Sequence, residues 1–226
     1  MNKPVTKNAV SDDQSAKPAA TSRTRARPNR NEEGRLEILL AATEAFMRLG
    51  YARASIDEIA DQLNATKGRI YHYYRKKSDI LIDIHRHVLD LMLTQVAPLA
   101  RIEGSASEAI RAMSFRHAMV IMENLALTRV ALLSTTDLLV NEKRERFVDE
   151  ISNARSDYEG LFRTVIEAGM ASGEFRTVNP GLLTKTLLGS LNWTIMWYVE
   201  RGQSSADTRE EIADVIADFI LHGVSK

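Results

Sequence analysis

Apolar residues along this 226-residue chain recur at three- and four-residue spacing, the signature of helices that bury one face. Leu36, Leu39, Leu40, Thr43, Phe46 and Met47 form the first stripe, and Gly50 supplies its stop. A short second helix is predicted over 55–63, where Ser55 caps and Glu58 completes a capping box. Ile56, Ile59, Ala60 and Leu63 are its buried face. Asn64 and Ala65 make a tight turn, and Thr66 caps a third helix over 67–74. There Ile70 and Tyr74 can pack onto the second helix, leaving Lys67, Gly68, Tyr71 and His72 to point elsewhere.

Longer helices follow. One runs over 78–96 and ends before Pro98; others are predicted over 105–123, 125–139 and 142–171, the last stopped by Gly173. Asn179 followed by Pro180 opens a helix to about residue 201, and Thr208 with Glu211 starts a final one to His222. With no alternating run and no hairpin dipeptide, the expectation is an all-α fold of about nine helices. A helix-turn-helix domain (31–77) is followed by a helical body (78–226), with residues 1–30 as a disordered basic arm.

Composition narrows the functions. The absence of cysteine excludes disulfides, thiolate catalysis, zinc fingers and iron–sulfur clusters. The longest uncharged run, Thr186 to Val199, has 14 residues, short of the roughly 18 that suggest a membrane span. The polar N-terminus has no apolar signal core. These features lead us to expect a cytoplasmic protein without membrane partners. Net charge is zero, yet the first 90 residues carry 16 basic and 12 acidic side chains and the remainder 14 and 18. Such polarity suits a polyanion-binding half joined to a half that does something else.

Two short helices across a sharp turn, the second with a basic and aromatic exposed face, have the layout of a DNA-reading helix-turn-helix. Double-stranded DNA is the expected partner. Ser55, Thr66, Lys67, Gly68, Arg69, Tyr71, His72 and Lys77 are its candidate contacts. Lys67 adds charge to backbone N–H groups facing phosphate, and Gly68 permits close approach. Tyr71 and His72 can meet phosphate or thymine methyl groups, and Arg69 a base edge or a phosphate. In the arm, Arg23, Arg25, Arg27 and Arg30 form a spaced basic run; Arg27 and Arg30 either reach a neighbouring groove or belong to a solvated tail.

The stretch from Leu36 to Leu81 resembles the DNA-binding domain of the tetracycline-repressor (TetR/AcrR) family. The resemblance is carried by the run from Ser55 to Ala60, by the run from Thr66 to Tyr74, and by Lys77. It implies recognition-helix roles for Lys67, Gly68, Tyr71 and His72, and a phosphate contact for Lys77. Lys76 departs from the Ser or Asn cap of many members. The resemblance further implies a homodimer through the last two helices and a ligand domain whose occupancy tilts the two DNA-reading heads. The segments around Gly173 to Phe175, Asn179 and Pro180, and Gly189 to Tyr198 are similar to a subgroup that responds to acyl-CoA thioesters, which implies such an effector.

Met113, Arg116, His117, Phe162, Trp193 and Trp197 are the candidate ligand-binding set, weighed against core or dimer-interface packing for the tryptophans and ordinary core packing for the methionines and histidine. Leu191, Ile212, Val215, Ile216, Phe219 and Ile220 are the candidate dimer interface, because a terminal helix this apolar exceeds what one subunit should expose. No cofactor or metal is expected: His85 and His87 face different sides of one helix. No P-loop, dinucleotide fingerprint, HExxH or GxSxG motif occurs, so an enzyme is not expected. The preferred reading is a repressor released from a palindromic operator by a small molecule. An activator, or a ligand-independent architectural DNA binder, is the alternative.

Overall fold

The computed structural model describes residues 30–101, 104–134, 144–200 and 205–226, with the backbone alone at 30, 144–150 and 205–207. The expected arm, including Arg27 and the Arg30 side chain, lies outside the described residues. Ten α-helices occur among those described: α1 Arg30–Leu49, α2 Ile56–Gln62, α3 Lys67–Tyr73, α4 Lys77–Val96, α5 Ala106–Glu123, α6 Leu125–Leu133, α7 Arg144–Ser172, α8 Pro180–Asn192, α9 Thr194–Trp197 and α10 Ser205–Val224. A 3-10 turn, Ala97–Arg101, follows α4. The all-α expectation holds.

The helix boundaries follow from local chemistry. Gly50 and Gly173 terminate α1 and α7 at φ values of 78° and 84°, backbone that glycine adopts without a Cβ clash. Ser55 caps α2 reciprocally: Glu58 N–H donates to Ser55 Oγ at 3.2 Å, and Ser55 N–H donates to Glu58 Oε2 at 2.7 Å. Helix α4 starts without a side-chain cap from Lys76; instead the Lys76 N–H donates to Asp79 Oδ2 at 3.1 Å. The N-terminus of α5 is closed from afar, because Ala106 and Ser107 N–H donate to the Glu174 carboxylate at 3.2 and 3.0 Å. Those bonds, with that from Ser172 Oγ, hold Glu174 down at about 2.

Two expected boundaries move. The helix expected from Pro180 to about 201 breaks at Trp193 into α8 and α9 and ends at Trp197. Arg129 of α6 explains the stop, since its guanidinium donates to the Ile195 and Tyr198 carbonyls at 2.7 and 2.6 Å and takes the acceptors a longer helix would use. The last helix begins at Ser205, ahead of the expected Thr208 cap.

Helix α4 belongs to both halves. Ile80, Leu81 and Ile84 join Ile38, Ala42, Phe46, Ile59 and Ile70 in the head core, together with Leu127, Val130 and Ala131 of α6. Met92 and Val96 join the body core around Ile110, Met113, Phe162, Ile166 and Leu191. The head core therefore continues past residue 77, and α6 is built into it.

Candidate nucleic-acid interface and effector cavity

Helix α3 buries Ile70, and Tyr74 behind it is also buried. Thr66, Lys67, Gly68, Arg69, Tyr71 and His72 are all exposed, which brings the expected recognition residues together on one face. Tyr71, at 53% exposure, is an aromatic ring standing in solvent. Acidic neighbours hold two of the cations: Lys67 Nζ lies 2.6 Å from Asp57 Oδ1, and Arg69 is paired with Glu37. Exposed pairs of this kind contribute about 0–1 kcal/mol, so a phosphate can displace either carboxylate.

Two of the sequence-predicted contacts are engaged within the protein. The Ser55 side chain caps α2. Lys77 turns inward: its ammonium donates to the carbonyls of Tyr51, Ala52 and Ala54 at 2.6, 3.2 and 2.8 Å and sits 4.5 Å from the centre of the Tyr51 ring. An ammonium has three protons, so in this arrangement Lys77 ties α4 to the loop between α1 and α2, rather than offering those protons to phosphate.

A second tie was not read from sequence. The Arg35 guanidinium donates to both Asp83 oxygens at 2.7 and 2.6 Å, and Tyr74 Oη donates to Asp83 Oδ2 at 2.5 Å. Asp83 is buried. Burial, then the bond to Asp83, raises the Tyr74 phenol, while the same carboxylate stabilises the charged Arg35. Asp83 of α4 thus fixes the C-terminal end of the recognition helix to α1.

Six helices, α4 to α9, enclose a cavity of about 290 Å³. Its wall comprises His85, Val88, Leu89 and Met92 of α4; His117 and Ile121 of α5; Thr128, Ala131 and Leu132 of α6; Arg155, Tyr158 and Glu159 of α7; Lys185, Leu188, Gly189 and Asn192 of α8; and Ile195 of α9. Arg155 and Lys185 are exposed and mark its mouth. His85 and His117 are buried. Desolvation lowers both to about 4, helped at His85 by the Arg155 charge and opposed at His117 by the Asn192 hydrogen bond. Both rings are therefore neutral near pH 7. His87 instead lines a groove between α1 and α4.

Of the six expected ligand residues, His117 alone lines this cavity. Met113 and Phe162 are fully buried behind it, with the Phe162 ring edge-on to His117 at 6.2 Å. Arg116 bonds Gln95 and Glu123. Trp193 and Trp197 face outward. His85, Arg155, Tyr158, Lys185 and Asn192 were missed, because their convergence from three helices leaves no spacing signal.

The expected dimer residues also divide. Leu191 and Ile220 are buried in their own subunit, and Ile212 and Ile216 are half-buried against it. Val215 and Phe219 stand out of α10, Phe219 at 69% exposure, and Leu182 of α8, Met196 and Trp197 of α9 and the intervening Trp193 are also exposed. Arg111 of α5 pairs with Asp214 and Asp218 at 2.9 and 2.7 Å.

Among the described residues, no cluster of three or more His, Asp or Glu is placed to hold a metal, and no helix is long and apolar enough to cross a membrane.

Comparison with known proteins agrees with this geometry. Residues 38–84 match the family described as "Bacterial regulatory proteins, tetR family", and residues 103–224 match "Tetracyclin repressor-like, C-terminal domain". A solved transcriptional regulator of the TetR/AcrR family from Thermobifida fusca is 31% identical with a TM-score of 0.62, covering 86% of this chain and 100% of that one. The HTH-type transcriptional repressor KstR2 of Mycolicibacterium smegmatis is 23% identical over 208 residues, 88% of this chain and 94% of the relative. The structure of AibR in complex with isovaleryl coenzyme A and operator DNA shares the fold, with a TM-score of 0.69 at 20% identity over 85% of this chain and 98% of that one.

Proposed function

Because the chain belongs to the TetR family of bacterial regulatory proteins and is a DNA-binding transcription regulator that works as a dimer, we propose that it is a repressor released from a palindromic operator when an acyl-CoA thioester enters the cavity. One observation carries the reading. Helices α4 and α6 line the cavity through Val88, Leu89, Met92, Thr128 and Leu132, and the same two helices close the head core through Ile80, Ile84, Leu127 and Val130. An occupant that displaces them moves elements to which the recognition helix is tied through Asp83. Release requires the effector to favour the non-binding arrangement, since equal affinity for both would shift nothing.

Support for the ligand class comes from the chemistry of the site and from relatives. The cavity wall is mostly apolar and opens beside Arg155 and Lys185, which suit the phosphates of a CoA group. AibR was solved with isovaleryl coenzyme A, and the name of KstR2 is that of a repressor. In this reading residues 31–77 form the head and 78–226 the effector and dimer body, with α4 shared. DNA contact falls to Thr66, Lys67, Gly68, Arg69, Tyr71 and His72. Dimer contact falls to Leu182, Trp193, Val215 and Phe219, large apolar side chains left exposed on one subunit that a two-fold contact would bury. The protein then acts at the nucleoid and has no catalytic role.

Capture of genomic fragments by the protein, followed by transcription from the captured promoter, tests the proposal. Transcription should fall when the protein is added and recover with the ester; a rise on addition makes it an activator. Sedimentation should show a dimer for the native chain and a monomer for Phe219→Glu, and a native monomer at micromolar concentration would contradict the interface.

A further inference from the structure

The cavity holds a chain of buried polar groups that the release model does not use. His117 Nδ1 lies 2.7 Å from Tyr158 Oη, and Nε2 lies 3.3 Å from Asn192 Oδ1. Burial keeps the phenol protonated and the ring neutral, so the ring donates through one nitrogen only. Were that nitrogen Nδ1, Nε2 would set a lone pair against the Asn192 carbonyl oxygen. Tyr158 would then be left to donate to the Met92 sulfur at 3.8 Å, a weak acceptor. The chain is satisfied in the other direction: Tyr158 donates to Nδ1, and Nε2–H donates to Asn192 Oδ1. That bond takes up Oδ1 and leaves Nδ2, with two protons and no hydrogen bond to the described residues, on a side chain that lines the cavity.

Resting on the effector reading above, we propose that the Asn192 amide donates to a carbonyl-type oxygen in the acyl part of the effector, with His117 and Tyr158 as positioning residues that aim it. The cavity then selects acyl groups by oxygen as well as by shape, because a hydrocarbon in the same place would leave the amide desolvated and unpaired. The oxygen can be the thioester carbonyl or one further along the acyl chain, and the two sources are separable by experiment.

Calorimetric titration with butanoyl-CoA, 3-oxobutanoyl-CoA and the thioether S-butyl-CoA makes the test. A lost buried hydrogen bond corresponds to about 10-fold in Kd. If the thioester carbonyl is bound, butanoyl-CoA exceeds S-butyl-CoA by about that factor; if the oxygen lies further along, 3-oxobutanoyl-CoA exceeds butanoyl-CoA. In Asn192→Leu the favoured ratio collapses toward one while S-butyl-CoA binding changes little. In Tyr158→Phe, which unaims the amide without removing it, the ratio falls part of the way. Equal binding of all three probes by the native protein overturns the inference alone, as does an undiminished ratio in Asn192→Leu or, where that variant fails to fold, in Tyr158→Phe. No binding by any CoA compound overturns the thioester reading and this inference with it.

Discussion

In the head, the surface proposed to meet DNA is set by one short helix whose buried residues are its own neighbours. Ile70 and Tyr74 face inward, and Lys67, Tyr71 and His72 therefore face outward. In the cavity, each contact joins distant parts of the chain: His117 meets Tyr158 41 residues away and Asn192 75 residues away. The difference teaches that the proposed DNA-reading face is a local property of the chain, while the proposed effector cavity is a property of the packing. What connects the two is α4, with Lys77 and Asp83 in the head and Val88 to Met92 in the cavity wall.

The comparison can be broken most severely at the joint. Asp83→Ala removes a buried carboxylate that accepts from the part-exposed Arg35 and the buried Tyr74, and should lower stability by about 1–3 kcal/mol, read from chemical unfolding. A loss below 1 kcal/mol would mean that the tie does not hold the head. The head's own face is tested by Lys67→Ala combined with Tyr71→Ala. With about 1–3 kcal/mol for a good recognition contact, operator affinity should fall 100-fold or more while the helical circular dichroism stays unchanged. In the same assay Lys67→Ala alone should flatten the dependence of log K on log salt by about one unit. Lys77→Met should leave that slope as it is and lower the melting temperature instead.

The body should betray its buried histidines through acid sensitivity. His85 and His117 are lowered to about 4 in the folded protein against an ordinary value of 6.5. Between those values the unfolded chain binds more protons than the folded one, so stability falls as pH drops from about 6.5 toward 4 and is unaffected by these groups above that window. His117→Asn should reduce the slope of unfolding free energy against pH there; an unchanged slope would place the titration elsewhere.

This division also decides what was legible in the sequence. Helix periodicity, the Ser55 and Glu58 box and the stops at Gly50 and Gly173 are nearest-neighbour effects, and the structure keeps them. Lys77 was legible as a cation at a helix start but not as a donor to carbonyls 23 to 26 residues earlier. Trp193 and Trp197 read correctly as a pair one helical turn apart, yet periodicity alone does not say whether a stripe faces a cavity or a partner. The structure leaves both tryptophans exposed and outside the cavity wall. The stop at Trp197 depends on Arg129, 66 residues from the carbonyl it takes at Ile195, a contact no local pattern contains.

The central claim is that filling the cavity loosens the head's hold on DNA. Fluorescence anisotropy of a labelled captured operator, titrated with butanoyl-CoA and its 3-oxo counterpart at concentrations that saturate the protein by calorimetry, measures that coupling directly. The account predicts that anisotropy falls to that of free DNA with native protein, and that Asp83→Asn, which weakens the tie between α4 and the recognition helix, needs more ester for the same release at matched starting occupancy. Saturation of the cavity with operator affinity unchanged would contradict it.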